Sequence, residues 1–215
     1  MKNQYVGDIN DFFKYSILEE IEKSLNKKIL VVWMLTESEG MDINYEKLKN
    51  YNKHLYQKLQ NIISSNKRSI KAIESIYKNY IYQSTFLEKQ NRTEYFDEVK
   101  KKAEKCDLIF FDPDIGISYG AEEKDNEHLY WDEIKELWKT GKDLLIYQHF
   151  RRQKWDDYLS ELNKYVEKDI RGAYIVPIKT KNVMFIYFAH EDISGKIKNF
   201  FNGWGNEIEI MEIQD

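Results

Sequence analysis

The chain has 215 residues, 42% of them hydrophobic and 33% charged, with a formal net charge of -4. That length fits one domain able to bury roughly 70% of its unfolded surface, so residues 1–215 are expected to share a single core. No apolar run approaches the ~20 residues of a membrane-spanning helix, the acidic balance weighs against a protein that grips nucleic acid over its whole surface, and Cys106, the only cysteine, excludes an internal disulfide. Met1-Lys2-Asn3-Gln4 leads into no signal-like apolar region, which predicts a cytoplasmic protein with no membrane attachment.

Asn10 to Lys27 reads as a helix, with Phe13, Ile17, Ile21 and Leu25 spaced by four and Asp8, Asn10 or Asp11 available as caps. Lys28 to Leu35 is an apolar run of strand length that exits into Thr36-Glu37-Ser38-Glu39-Gly40. Asn44 to Ser64 and Ser69 to Tyr80 look helical, a helical insert around residues 44–80. Their scattered tyrosines, from Tyr45 to Tyr82, suit a packed face or stacking on bases. Ile81 to Leu87 reads as a short strand. Asn91-Arg92-Thr93-Glu94 has capping-box spacing for a helix over 93–105.

Leu108-Ile109-Phe110-Phe111 has the composition of a strand buried on both faces, and it ends abruptly in Asp112-Pro113-Asp114-Ile115-Gly116. Ser118 to Glu127 follows as a polar loop, a candidate lid or recognition insert or, equally, a disordered stretch. Trp131 to Trp138 is an amphipathic helix stopped at Gly141, and Asp143 to Tyr147 is a buried strand exiting into Gln148-His149-Phe150-Arg151-Arg152. A helix marked by Trp155, Leu159, Leu162 and Val166 precedes a hairpin of 173–178 with 183–188, placed at the sheet edge because of Pro177. A helix over 193–201 and a strand over 207–213 finish the chain. This order predicts one doubly wound, mostly parallel α/β sheet.

Parallel strands bring three polar exits together: Glu37 and Glu39 from the first, Asp112 and Asp114 from the second, and His149 from the third. Two chemistries fit. Asp112 and the backbone carbonyl after it can accept the protons of an amine and aim its lone pair at an electrophile, which is catalysis by positioning. Alternatively Asp112, Asp114 and a first-loop acid hold a divalent metal with His149 as base or ligand, as in a hydrolase or nuclease.

Two blocks carry a resemblance. Gly7-Asp8-Ile9-Asn10-Asp11-Phe12-Phe13-Lys14-Tyr15 resembles the Gly-Asn-x-x-Asp-x-x-Lys-His segment that opens the adenine-N6 methyltransferases acting on large-subunit ribosomal RNA. Asp112-Pro113-Asp114-Ile115 falls where those enzymes carry Asp-Pro-Pro-Tyr. The chain is also similar to a wider bacterial and phage family with Gly-Asp-x-x-Asp-x-x-Lys-Tyr, Phe-Asp-Pro-Asp-x-Gly-Ile and Tyr-Gln-His-Phe blocks. The resemblance implies a class I methyltransferase-like Rossmann fold that uses S-adenosylmethionine, with a nucleic acid or nucleotide as partner. It implies that Gly7, Asp11 and Lys14 lie near the cofactor or target, that Thr36, Glu37 and Gly40 border the cofactor, and that Asp112 and Pro113 hold the target amine. Asp114 replaces the family's second proline, and Ile115 replaces the aromatic that stacks on a flipped base. The remaining alternative is a non-catalytic binding protein in phage defence or counter-defence.

Overall fold

The computed structural model of the chain describes residues 3–36, 45–66, 68–120, 123–149 and 153–213. Their regular elements are α1 (Ile9–Leu25), β1 (Ile29–Val32), α2 (Lys53–Ser64), α3 (Ile70–Ile76), β2 (Ile81–Gln83), α4 (Arg92–Ala103), β3 (Leu108–Phe111), β4 (Gly116–Ser118), β5 (His128–Tyr130), α5 (Trp131–Trp138), β6 (Asp143–His149), α6 (Trp155–Asp169), β7 (Tyr174–Thr180), β8 (Val183–Ala189), α7 (Ser194–Phe201) and β9 (Ile208–Ile210).

Seven strands form one sheet in the order β2-β1-β3-β6-β8-β7-β9. Pairings among β2, β1, β3 and β6 are parallel, whereas β6 with β8, β8 with β7 and β7 with β9 are antiparallel. The sheet expected to be mostly parallel is therefore mixed. β1 and β3, inside the parallel half, consist of apolar residues buried on both faces, as strands covered on both sides must be.

Alternation divides the core in two. Ile29, Val31, Leu108, Phe110, Leu145 and Tyr147 face α1, α2, α3 and α7, and Leu30, Val32, Ile109, Phe111, Leu144 and Ile146 face α4, α5 and α6. Helices thus cover both faces. Cys106 is a buried member of the second layer, and burial pushes its thiol up to about 11, which makes it a poor nucleophile at neutral pH. Among the described residues no helix is long and apolar enough to cross a membrane.

Several local expectations are corrected. The 173–189 hairpin is not at the edge: β8 lies between β6 and β7, and β9 is the terminal strand. Pro177 is accommodated because its carbonyl accepts from Met211 N at 3.0 Å, so its missing N–H faces the three-residue β9 and not β8. Asn91 makes no side-chain cap for α4; its Oδ1 instead accepts from Glu88 N at 2.9 Å and closes the preceding turn. α3 stops at Ile76, short of Tyr80. The tyrosines around it stack on one another, Tyr15 on Tyr77 at 4.9 Å and Tyr77 on Tyr80 at 5.1 Å, and are packing residues.

The expected loop at 118–127 is flanked by paired strands. β4 and β5 form a separate two-stranded parallel ribbon. Arg92 anchors its far end: Nε and Nη2 donate to the Glu133 carboxylate at 2.6 and 2.8 Å, Nη2 also reaches His128 O at 2.8 Å, and Nη1 donates to Asp125 O. The guanidinium stacks between Phe96 and Tyr130.

Candidate active site at the β1 and β3 strand ends

From β1 the chain order runs one way to β2 and the other way to β3, so the sheet has a switch point between β1 and β3. Open α/β sheets bind ligands outside the carboxyl ends of the strands at such a point. Val32 and Phe111 are in register there, and Asp112 N donates to Val32 O at 3.0 Å. Asp112 and Trp33 are the next residues on the two strands and continue the rows that face α1.

α1 starts over this point. Asp8 caps it by accepting from Asp11 N at 2.9 Å, and Asp11 Oδ2 reaches back to accept from Gly7 N at 2.8 Å. Gly7 sits at φ +92, with its carbonyl accepting from the Tyr45 hydroxyl at 2.5 Å and Ile63 Cγ1 within 3.0 Å of where a Cβ would lie. Only glycine suits that position.

One turn into the helix, Lys14 Nζ donates to Asp112 Oδ2 at 2.8 Å and to Asp11 Oδ1 at 3.2 Å, and lies 4.7 Å from the centre of the Tyr147 ring. Exposure of Asp11, Lys14 and Asp112 is 0, 4 and 1%, so this is a buried ion-pair triad. Burial disfavours the ammonium, but Asp112 and then Asp11 outweigh it and hold the Lys14 pKa above its ordinary value. For Asp11 burial wins, and with repulsion from Asp112 it raises the carboxyl in spite of Lys14. Burial, then Asp11, pushes Asp8 up to about 7.

The neighbouring exits are joined too. Thr36, beyond β1, donates its hydroxyl to Asp114 Oδ2 and so ties the exit of β1 to that of β3. Met34 between them is buried at φ 44, an uncommon conformation for a bulky residue, and its N–H donates to the Tyr95 hydroxyl at 3.1 Å. Such backbone strain clusters at functional sites. Trp33 Nε1 and the Tyr15 hydroxyl are buried donors with no hydrogen-bond partner among the described residues. His149 stands exposed at the rim, its ring 6.2 Å from that of Tyr147.

Of the residues expected from sequence, Gly7, Asp11, Lys14 and Asp112 form one hydrogen-bonded unit, Thr36 and Asp114 form a second beside it, and Pro113 is buried between Asp112 and Asp114. Glu37, Glu39 and Gly40 lie outside the described residues. Sequence reasoning missed Tyr147, Met34 and Tyr95, none of which carries a local signal: each acts through a contact with another strand or helix. Among the described residues no three His, Cys, Asp or Glu side chains are disposed to hold a metal ion. No family model matches the chain, and no curated protein matches it in sequence.

Proposed function

We propose that the chain is a methyltransferase-like protein of the class I Rossmann type, using S-adenosylmethionine and acting on an amine, either of a nucleobase or of another substrate. The observation that carries the proposal is the position of Asp112-Pro113: a strand-end carboxylate at the switch point of the sheet, oriented by a buried lysine from the first helix.

S-Adenosylmethionine, when bound, supplies an electrophilic methyl group on a sulfonium cation. The residues suit such a group by charge and by hydrogen bonding: Asp11 and Asp112 flank the Lys14 ammonium, Asp8 caps the same helix start, Asp114 stands at the end of the neighbouring strand, and Trp33 Nε1 and the Tyr15 hydroxyl are donors lacking a protein partner among the described residues. Thr36 borders the cofactor at the β1 exit. Asp112, with Lys14 on Oδ2 fixing its rotamer, would accept a hydrogen bond from one N–H of the target amine, and the Pro113 carbonyl would accept one from the other. Held so, the nitrogen would keep its lone pair pointing away from both acceptors and towards the electrophile, so these residues would work by orientation, and the proton that the substituted nitrogen sheds would leave to water afterwards. With Ile115 after Asp114, the motif supplies no stacking surface for a base.

A thermal-shift comparison tests the proposal. Ligand at a hundredfold excess over Kd stabilises by about 2.7 kcal/mol, or roughly 5 to 10 °C for a chain of this size. S-Adenosylmethionine and S-adenosylhomocysteine are expected to give that shift without added metal. A shift with Mn²⁺ alone would point to the hydrolase chemistry of Asp112, Asp114 and His149, and no shift with any of them would point to a binding protein.

A further inference from the structure

Gln148, the penultimate residue of β6, is fully buried. Four hydrogen bonds saturate its amide. Oε1 accepts from Ile117 N and from the Tyr158 hydroxyl, each at 2.8 Å, and Nε2 donates to Ile115 O and His149 O, each at 3.0 Å. His149 N adds a further bond to Ile115 O at 3.0 Å.

The amide occupies the space a side chain at position 116 would take. A Cβ on Gly116 would lie 2.3 Å from both Nε2 and Oε1, and the residue has φ +129. The glycine of the Asp-Pro-Asp-Ile-Gly turn and the glutamine of the Tyr-Gln-His-Phe block are therefore two halves of one contact between segments 32 residues apart in sequence order, 116 and 148. An unpaired buried amide is costly, so every one of these partners is needed where it is.

The consequence falls on Asp114. On one side of it, Asp112 is held by the sheet through Val32 O; on the other, Ile115 is held by Gln148 and His149. With both ends fixed, the Asp114 carboxylate faces the Thr36 hydroxyl. We propose that Gln148 is a positioning residue, which sets Asp114 against Thr36 at the ends of β3 and β1. It rests on the methyltransferase reading only for what Asp114 borders.

The γ-methyl resonance of Thr36 in labelled protein reads this directly. Asp114→Ala moves it by removing the acceptor, and Gln148→Met, which keeps size and neutrality but removes all four bonds, is expected to move it in the same direction. Tyr158→Phe, which removes one bond and leaves the amide seated, is expected to give less than half that change. A folded Gln148→Met protein with the Thr36 methyl at its wild-type position overturns the inference. Should Gln148→Met not fold, Gly116→Ala dislodges the amide from the opposite side and carries the same two outcomes.

Affinity for S-adenosylhomocysteine, measured on the same samples, is expected to fall about tenfold in Gln148→Met, the worth of one good hydrogen bond. If even the wild-type protein does not bind, the methyltransferase proposal fails while the methyl resonance still decides the role of Gln148.

Discussion

At the scale of single residues, Lys14 matters most because its loss would take from the buried carboxylates Asp11 and Asp112 the ammonium that bridges them. Lys14→Met is expected to cost about 3 to 5 kcal/mol in urea unfolding, since breaking a buried pair exposes the full desolvation penalty of what remains. Adding Asp11→Asn to Lys14→Met should recover part of it. A second prediction concerns pH. Asp8 is raised from 3.8 to about 7, so the folded state holds a proton that the unfolded chain releases. Stability from this group is present at low pH and is lost as pH rises through about 7, with Asp11 shifted in the same direction. The melting temperature is expected to fall between about pH 5 and pH 8, and Asp8→Asn should flatten that slope. The carboxylates were legible in sequence as a capped helix start and a strand end, and Lys14 only through the resemblance of the Gly7-to-Tyr15 block. Their pairing was not, because Lys14 and Asp112 are 98 positions apart and only the sheet brings them together.

At the scale of elements, the segment after Asp112 is a built ribbon with an anchor at each end, Gln148 at β4 and Arg92 at β5. Gly116→Ala must displace a buried amide and also strain the backbone, at an expected cost of about 2 to 3 kcal/mol, or roughly 5 to 10 °C in melting temperature. Arg92→Lys keeps the charge but loses the fork that grips Glu133 and two carbonyls. It should open the 115–130 segment to limited proteolysis before the core unfolds. Strands of strong apolar pattern, β3 above all, could be read from sequence to the residue. The ribbon could not, because three-residue strands carry too little periodicity and their order comes from Arg92 and Gln148, distant side chains. Asn91 misled for a related reason: its side chain serves the turn before α4, where Glu88 N is the nearer donor.

At the scale of the whole molecule, the parallel half of the sheet carries the candidate site at its strand ends and the antiparallel half extends the sheet away from it. The helix-strand alternation up to β6 was readable from the sequence, whereas the insertion of β8 between β6 and β7 was not, since strand order leaves no trace in local pattern. What the fold gains is one edge at which α1, β1, β3 and β6 all deliver their polar ends. The proposed S-adenosylmethionine site lies on this edge, beside Asp112, and calorimetric titration of S-adenosylhomocysteine into the metal-free protein reads its occupancy. The expected result is saturable binding with one ligand per chain, weakened in Thr36→Val and retained in the rim variant His149→Ala. No heat with this ligand, together with saturable Mn²⁺ binding that Asp114→Asn abolishes, would contradict it.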